Sequence, residues 1–149
     1  MAPNRRVVLT AGSSAVVASL AGCFGFLNDE VEFEENVPET TADHLSTANN
    51  VDGSITDRTG ESELVVEVGP GGNFAYDPAL IRIDSGTTVR WEWKSSGHTV
   101  TSVSDNFGID TGRKSSGFET SYTFDTPSEY LYECKPHSSA GHRGAIIVA

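Results

Sequence analysis

The run "TVRWEW" at residues 88–93 alternates strictly, with Val89, Trp91 and Trp93 on one side and Arg90 and Glu92 on the other. That is the two-residue period of a strand with one face in a core. Runs of similar length recur along the chain: "ELVVEV" at 63–68, "LIRI" at 80–83, "HTVTSV" at 98–103, "SYTF" at 121–124, "EYLYEC" at 129–134 and "AIIV" at 145–148. The turn formers "GPGGN", "DSG", "SSG" and "TPS" separate them, and no helical run of comparable strength appears. About seven strands in roughly ninety residues define an all-β chain, a Greek-key β-sandwich or barrel.

The chain has 149 residues, enough for one domain with a single modest core. It carries 21 Asp and Glu against 10 Lys and Arg, a formal charge of -11 spread along its length. This excess argues against nucleic-acid binding through phosphates and reads as a solvated acidic surface. Residues 1–22 have the order of an export signal: "NRRVVLT" places Arg5 and Arg6 before an uncharged stretch from Val7 to Ala21, too short to span a bilayer. The stretch closes on "LAGC", which resembles the lipobox at which lipoproteins are cleaved and acylated on the cysteine, here Cys23, and the paired arginines resemble a twin-arginine signal. An unprocessed membrane-anchoring segment is the alternative, and both place the domain outside the cell, tethered to the membrane. Residues 23–60 then form a lipidated acidic linker that runs into the start of the domain. The polar stretch from Asn28 to about Glu61 is expected to be a flexible spacer, with His44 a solvated side chain within it. The compact domain is expected over 61–149.

Export changes the meaning of the two cysteines. A disulfide is the first expectation outside the cell, but lipid on Cys23 leaves Cys134 a lone thiol in an oxidising compartment, which a metal would protect. In "EYLYEC" the alternation puts Tyr130, Tyr132 and Cys134 on one face, so packed tyrosines would aim the thiol inward. "CKPHSSAGH" then supplies His137 and His142, and His98 in "SGHTV" can join them only through folding. Thiolate with two imidazoles is the trigonal core of blue-copper sites, and zinc would accept the same four groups tetrahedrally. A Cys nucleophile with a His base would also need an orienting group and an oxyanion hole, for which the sequence has no pattern.

From about residue 43 onward, through "DHLSTANNVDGSITDRTG", "VEVGPGGNFAYDPALIRIDSGTTVRWEWKSSGHTV" and "YLYECKPHSSAGHRGAIIVA", the chain resembles the halocyanins, plastocyanin-like blue copper proteins of haloarchaea. The resemblance implies a cupredoxin-like sandwich of seven to eight strands, one copper ion and no enzymatic activity. It also implies His98, Cys134 and His137 as strong ligands, and electron exchange with donor and acceptor proteins of the respiratory chain. By the same resemblance the electron leaves through the edge of His137, beside Pro136, Ala140 and Gly141. The chain departs from the family where an axial Met is expected, because His142 stands there, and at Glu133 and Thr99, where plastocyanins tend to carry Tyr and Asn. Imidazole in the axial position favours Cu(II) and lowers the potential, unless His142 swings to solvent. A coordinating His142 must be unprotonated, so the spectrum is expected to shift as pH falls below neutrality. Two other functions use the same residues: non-redox storage of zinc or copper, and a structural sandwich whose site has decayed.

Overall fold

A computed structural model describes residues 31–149; the export signal, the lipobox and Cys23 lie outside the described residues. Among the described residues, nine strands form two sheets. β1 (Thr56–Asp57), β4 (Leu80–Ile83), β6 (Thr101–Ser102), β8 (Ser128–Glu133) and β9 (Arg143–Val148) make one, in the order β1-β4-β9-β8-β6. β2 (Glu63–Val68), β3 (Tyr76–Asp77), β5 (Thr87–Trp93) and β7 (Glu119–Phe124) make the other, in the order β3-β2-β5-β7. The parallel neighbours β2–β5 and β4–β9 show where the chain crosses between sheets, as a Greek-key sandwich requires.

All seven expected runs contain strand, but in "HTVTSV" the strand is only Thr101–Ser102; His98 makes an isolated antiparallel bridge to Lys114, and the Thr99 N–H is turned to the Cys134 sulfur. The two strands beyond the expected set, β1 and β3, have two residues each, too short for alternation to show. Alternation holds best in β5, where Val89, Trp91 and Trp93 are at most 1% exposed. They meet Tyr130, Tyr132, Ile146 and Val148 from the facing sheet in one aromatic-rich core. Each such side chain contributes roughly 1.5–3 kcal/mol of burial. On the opposite face of β5, Arg90 pairs with Glu63 and Glu92 at 2.7 and 3.1 Å, solvent-screened contacts that add little to stability.

The five-stranded sheet is buried on both faces. Leu80, Leu131, Ala145 and Ile147 point away from the sandwich and form a second core with Val37 and Leu45. Those last two belong to a strap running from residue 33 to residue 55, which includes α1 (Glu39–Leu45). The expectation of a flexible spacer over this stretch does not hold for its described part. Leu45 is wholly buried, Thr41 donates to Glu129 Oε1, and β1 enters the sheet beside β4. His44 is likewise not a solvated side chain: it is half-buried, with Nε2 2.9 Å from the Tyr132 carbonyl. A carbonyl only accepts, so Nε2 carries the proton, and burial pushes the ring's pKa down.

Candidate metal centre

The spacing of "CKPHSSAGH" is explained by backbone pairing. In the β8–β9 ladder Glu133 faces Arg143, so the next residues out, Cys134 and His142, also face each other, and Cys134 N–H donates to the His142 carbonyl at 3.0 Å. A 3₁₀ segment, Lys135–Ala140, fills the gap. His137 N–H donates to the Cys134 carbonyl at 3.0 Å and His142 N–H to the His137 carbonyl at 3.2 Å. Three side chains at intervals of three and five are thereby drawn to one point by their own main chain. Gly141 permits the return: its φ is +96°, and a Cβ there would stand 2.8 Å from the Thr47 carbonyl of the strap.

His98 arrives from the β5–β6 connection. Trp93 Nε1 donates to its carbonyl at 2.8 Å, and Tyr76 Oη donates to the next carbonyl, Thr99, at 2.6 Å. Ser95 Oγ donates to the Gly69 carbonyl at 2.7 Å, which leaves it to accept from His98 Nε2 at 2.8 Å. That bond places the proton on Nε2 and turns the Nδ1 lone pair toward Cys134 Sγ, 4.0 Å away. Gly69 lies against this pair, with φ +69°, and a Cβ there would run into the Ser95 hydroxyl and the His98 ring. His137 Nδ1 is 3.3 Å from the same sulfur. All four donor atoms, from His98, Cys134, His137 and His142, lie within 4.8 Å of one another.

His98, Cys134 and His142 are buried and His137 is half-buried. Burial raises the pKa of the Cys134 thiol, with the Thr99 N–H opposing it at 3.4 Å from the sulfur. Burial lowers that of His98, helped by His137. His142 is wholly buried, not swung to solvent, and burial, then His98 and His137, push its pKa down to about 3. Neither of its ring nitrogens has a hydrogen-bond partner of normal geometry, the neighbouring Ala75 carbonyl exerting only a weak opposing pull. A buried, unpaired imidazole costs free energy that a cation at the centre would recover. Soft sulfur beside borderline nitrogens suits copper or zinc.

The four expected ligands therefore meet. Thr99, where the family's asparagine was absent, still ties two parts of the site together, because its Oγ1 accepts from Lys135 N–H at 3.0 Å. The expected face around His137 differs in two residues. Gly141 is buried under the strap, and Phe74, 41% exposed, stacks on His137 with ring centroids 4.0 Å apart and planes 9° from parallel. Phe74 and Ser95 carry no sequence signal of their own; only the fold brings them to the ligands.

A two-sheet Greek-key sandwich that gathers one cysteine and three histidines at the ends of its strands is a cupredoxin. The chain belongs to the plastocyanin/azurin family of copper binding proteins, whose family model matches residues 62–149. Within it the chain sits with the halocyanins: a halocyanin of Natronomonas pharaonis is 44% identical over 157 residues, covering 97% of this chain and 96% of that protein. The refined structure of a pseudoazurin from Methylobacterium extorquens AM1 is 28% identical, with a TM-score of 0.51 over 58% of this chain and 75% of that one. An oxidised amicyanin variant shares the fold alone, at 23% identity and a TM-score of 0.51 over 60% of this chain and 84% of that one.

Proposed function

We propose that the chain is a lipid-tethered one-electron carrier at the outer face of the cell membrane, with one copper ion held by His98, Cys134, His137 and His142. The observation that carries this is the meeting of four donor atoms within 4.8 Å around a wholly buried, unpartnered His142. Copper, when bound, supplies a Cu(II)/Cu(I) couple that takes up and returns one electron. The residues present suit that work. Ser95 fixes the His98 tautomer, the Thr99 N–H stabilises a thiolate at Cys134, and the main-chain triangle of Cys134, His137 and His142 keeps the donors in place through a cycle. Four protein donors leave no open position for a substrate, which favours a carrier over an enzyme. The half-buried His137, stacked on exposed Phe74, offers the route out to redox donor and acceptor proteins.

Copper titration of the metal-free protein is the test. An intense thiolate-to-Cu(II) band at one equivalent, absent in Cys134→Ser, is the expected result. Tight colourless zinc binding with no copper band would instead make this a metal store. The tether rests on "LAGC" and on Arg5 and Arg6. A lipid adduct on Cys23, lost with membrane association in Cys23→Ala, is expected by mass spectrometry, whereas a soluble mature chain with unmodified Cys23 would refute it.

A further inference from the structure

The strap reaches the metal centre at one residue. Asn49 Nδ2 donates to the Phe74 carbonyl and to the Ala140 carbonyl, both at 2.8 Å, and Asn49 N–H donates to the Gly141 carbonyl at 2.8 Å. Phe74 belongs to the β2–β3 connection, which covers His137, while Ala140 and Gly141 belong to the ligand loop and lead directly into His142. These two loops come from opposite sheets. Among the bonds that join them, a single amide group spends both of its protons on one carbonyl from each, a task that needs two donors on one nitrogen. Neighbouring contacts keep the amide in place: Asn50 Nδ2 donates to the Tyr76 carbonyl at 3.0 Å, and the Thr47 carbonyl lies tight against Gly141. Asn49 also stands outside residues 62–149, the part of the chain that the family model describes.

We infer that Asn49 is a positioning residue for the metal: from outside the copper domain it sets the spacing of the two loops, and through Gly141 the reach of the His142 ring toward Cys134. This rests on the copper reading above. The bond that matters is not to a ligand side chain, so its loss leaves all four donors present but lets the ligand loop move away from the sulfur.

The experiment compares copper-loaded wild type, Asn49→Ala and Asn106→Ala in the full chain. Asn106 is the control, since its amide also makes two bonds, to Ser128 Oγ and the Glu129 carbonyl at 2.9 and 3.0 Å, at the far end of β8. Asn49→Ala is expected to displace the reduction potential, alter the charge-transfer band and release copper to a chelator roughly ten-fold faster, the size of one to two lost hydrogen bonds. Asn106→Ala is expected to lower Tm with potential, band and release rate unchanged. If Asn49→Ala lowers Tm alone, Asn49 only braces the fold and the inference is wrong. Should that variant not fold, Asn49→Ser is read by the same criteria. A wild type that takes up no copper would sink the functional reading itself, a result distinct from coloured variants that all behave alike.

Discussion

Both faces of the five-stranded sheet are buried, yet they are covered by sequence of different character. Inside, β4, β8 and β9 send Ile81, Ile83, Tyr130, Tyr132, Ile146 and Val148 into a core whose other half is the alternating β2 and β5. Outside, Leu80, Leu131, Ala145 and Ile147 are covered by a strap whose fully buried apolar anchors are Val37 and Leu45, with Phe33, Val51 and Ile55 only partly buried and acidic and small residues between them. The inner face is held by area, the outer by a few anchors and many directed bonds. Their functions divide in the same way, because the sandwich delivers the ligands to one end while the strap bears on the loops between them.

Acid is expected to separate the two regions with the largest effect. His142 and His98 must stay neutral in the folded metal-free protein, and so must His44 under the strap, since burial lowers the pKa of all three. The unfolded chain takes up protons below about pH 6.5, while folded His142 does not until about 3. Stability is therefore fully present above about pH 6.5 and falls as pH drops through that window, by up to roughly 5 kcal/mol from His142. Copper would hold the site histidines unprotonated and leave His44 as the main acid-sensitive contact, so the loaded protein should lose much less. The same depression moves the expected spectral response to acid from just below neutrality to well below it. Denaturant midpoints measured from about pH 7.5 to about pH 4 with and without copper test this, and superimposable curves would contradict it.

Leu45→Ala breaks the comparison from the other side. Removing a wholly buried leucine from a small satellite core should cost about 2–4 kcal/mol. Because the strap has so few anchors, the loss should appear first as increased hydrogen exchange over residues 37–51, with β5 still protected. A uniform rise across the sandwich would mean strap and sandwich are one cooperative unit.

That contrast also explains what the sequence disclosed. Alternation in "TVRWEW" and "EYLYEC" revealed the inner core and the inward thiol, because period-two burial is local information. The continuous apolar run "AIIV" was the available sign that β9 is covered on both sides, and it does not say by what. α1 stayed hidden because a seven-residue helix with Thr41 and Leu45 as its buried positions has too few turns to show a helical period. The candidate ligands were readable because cysteine and histidine are rare and clustered here, whereas Ser95, Asn49 and Phe74 make their contacts through main-chain carbonyls and ring stacking, which ordinary residue types provide without any pattern.

His142 stands at the seam of the two regions, its ring 4.3 Å from the Tyr76 ring of the sandwich core and its preceding residue under the strap. Replacing it with methionine substitutes a flexible, unbranched side chain that suits a buried site for the imidazole ring and exchanges a borderline nitrogen for a soft thioether. Imidazole favours Cu(II) and thioether favours Cu(I), so His142→Met should raise the reduction potential, by roughly 60 mV for each ten-fold change in relative affinity. The substitution also removes the buried, unpaired ring nitrogens, so the metal-free variant should resist acid better than wild type. Voltammetry and denaturation of the two proteins read these effects separately. A potential that stays put or falls while acid resistance improves would mean that His142 is buried beside the copper without donating to it, and the centre would then rest on His98, Cys134 and His137 alone.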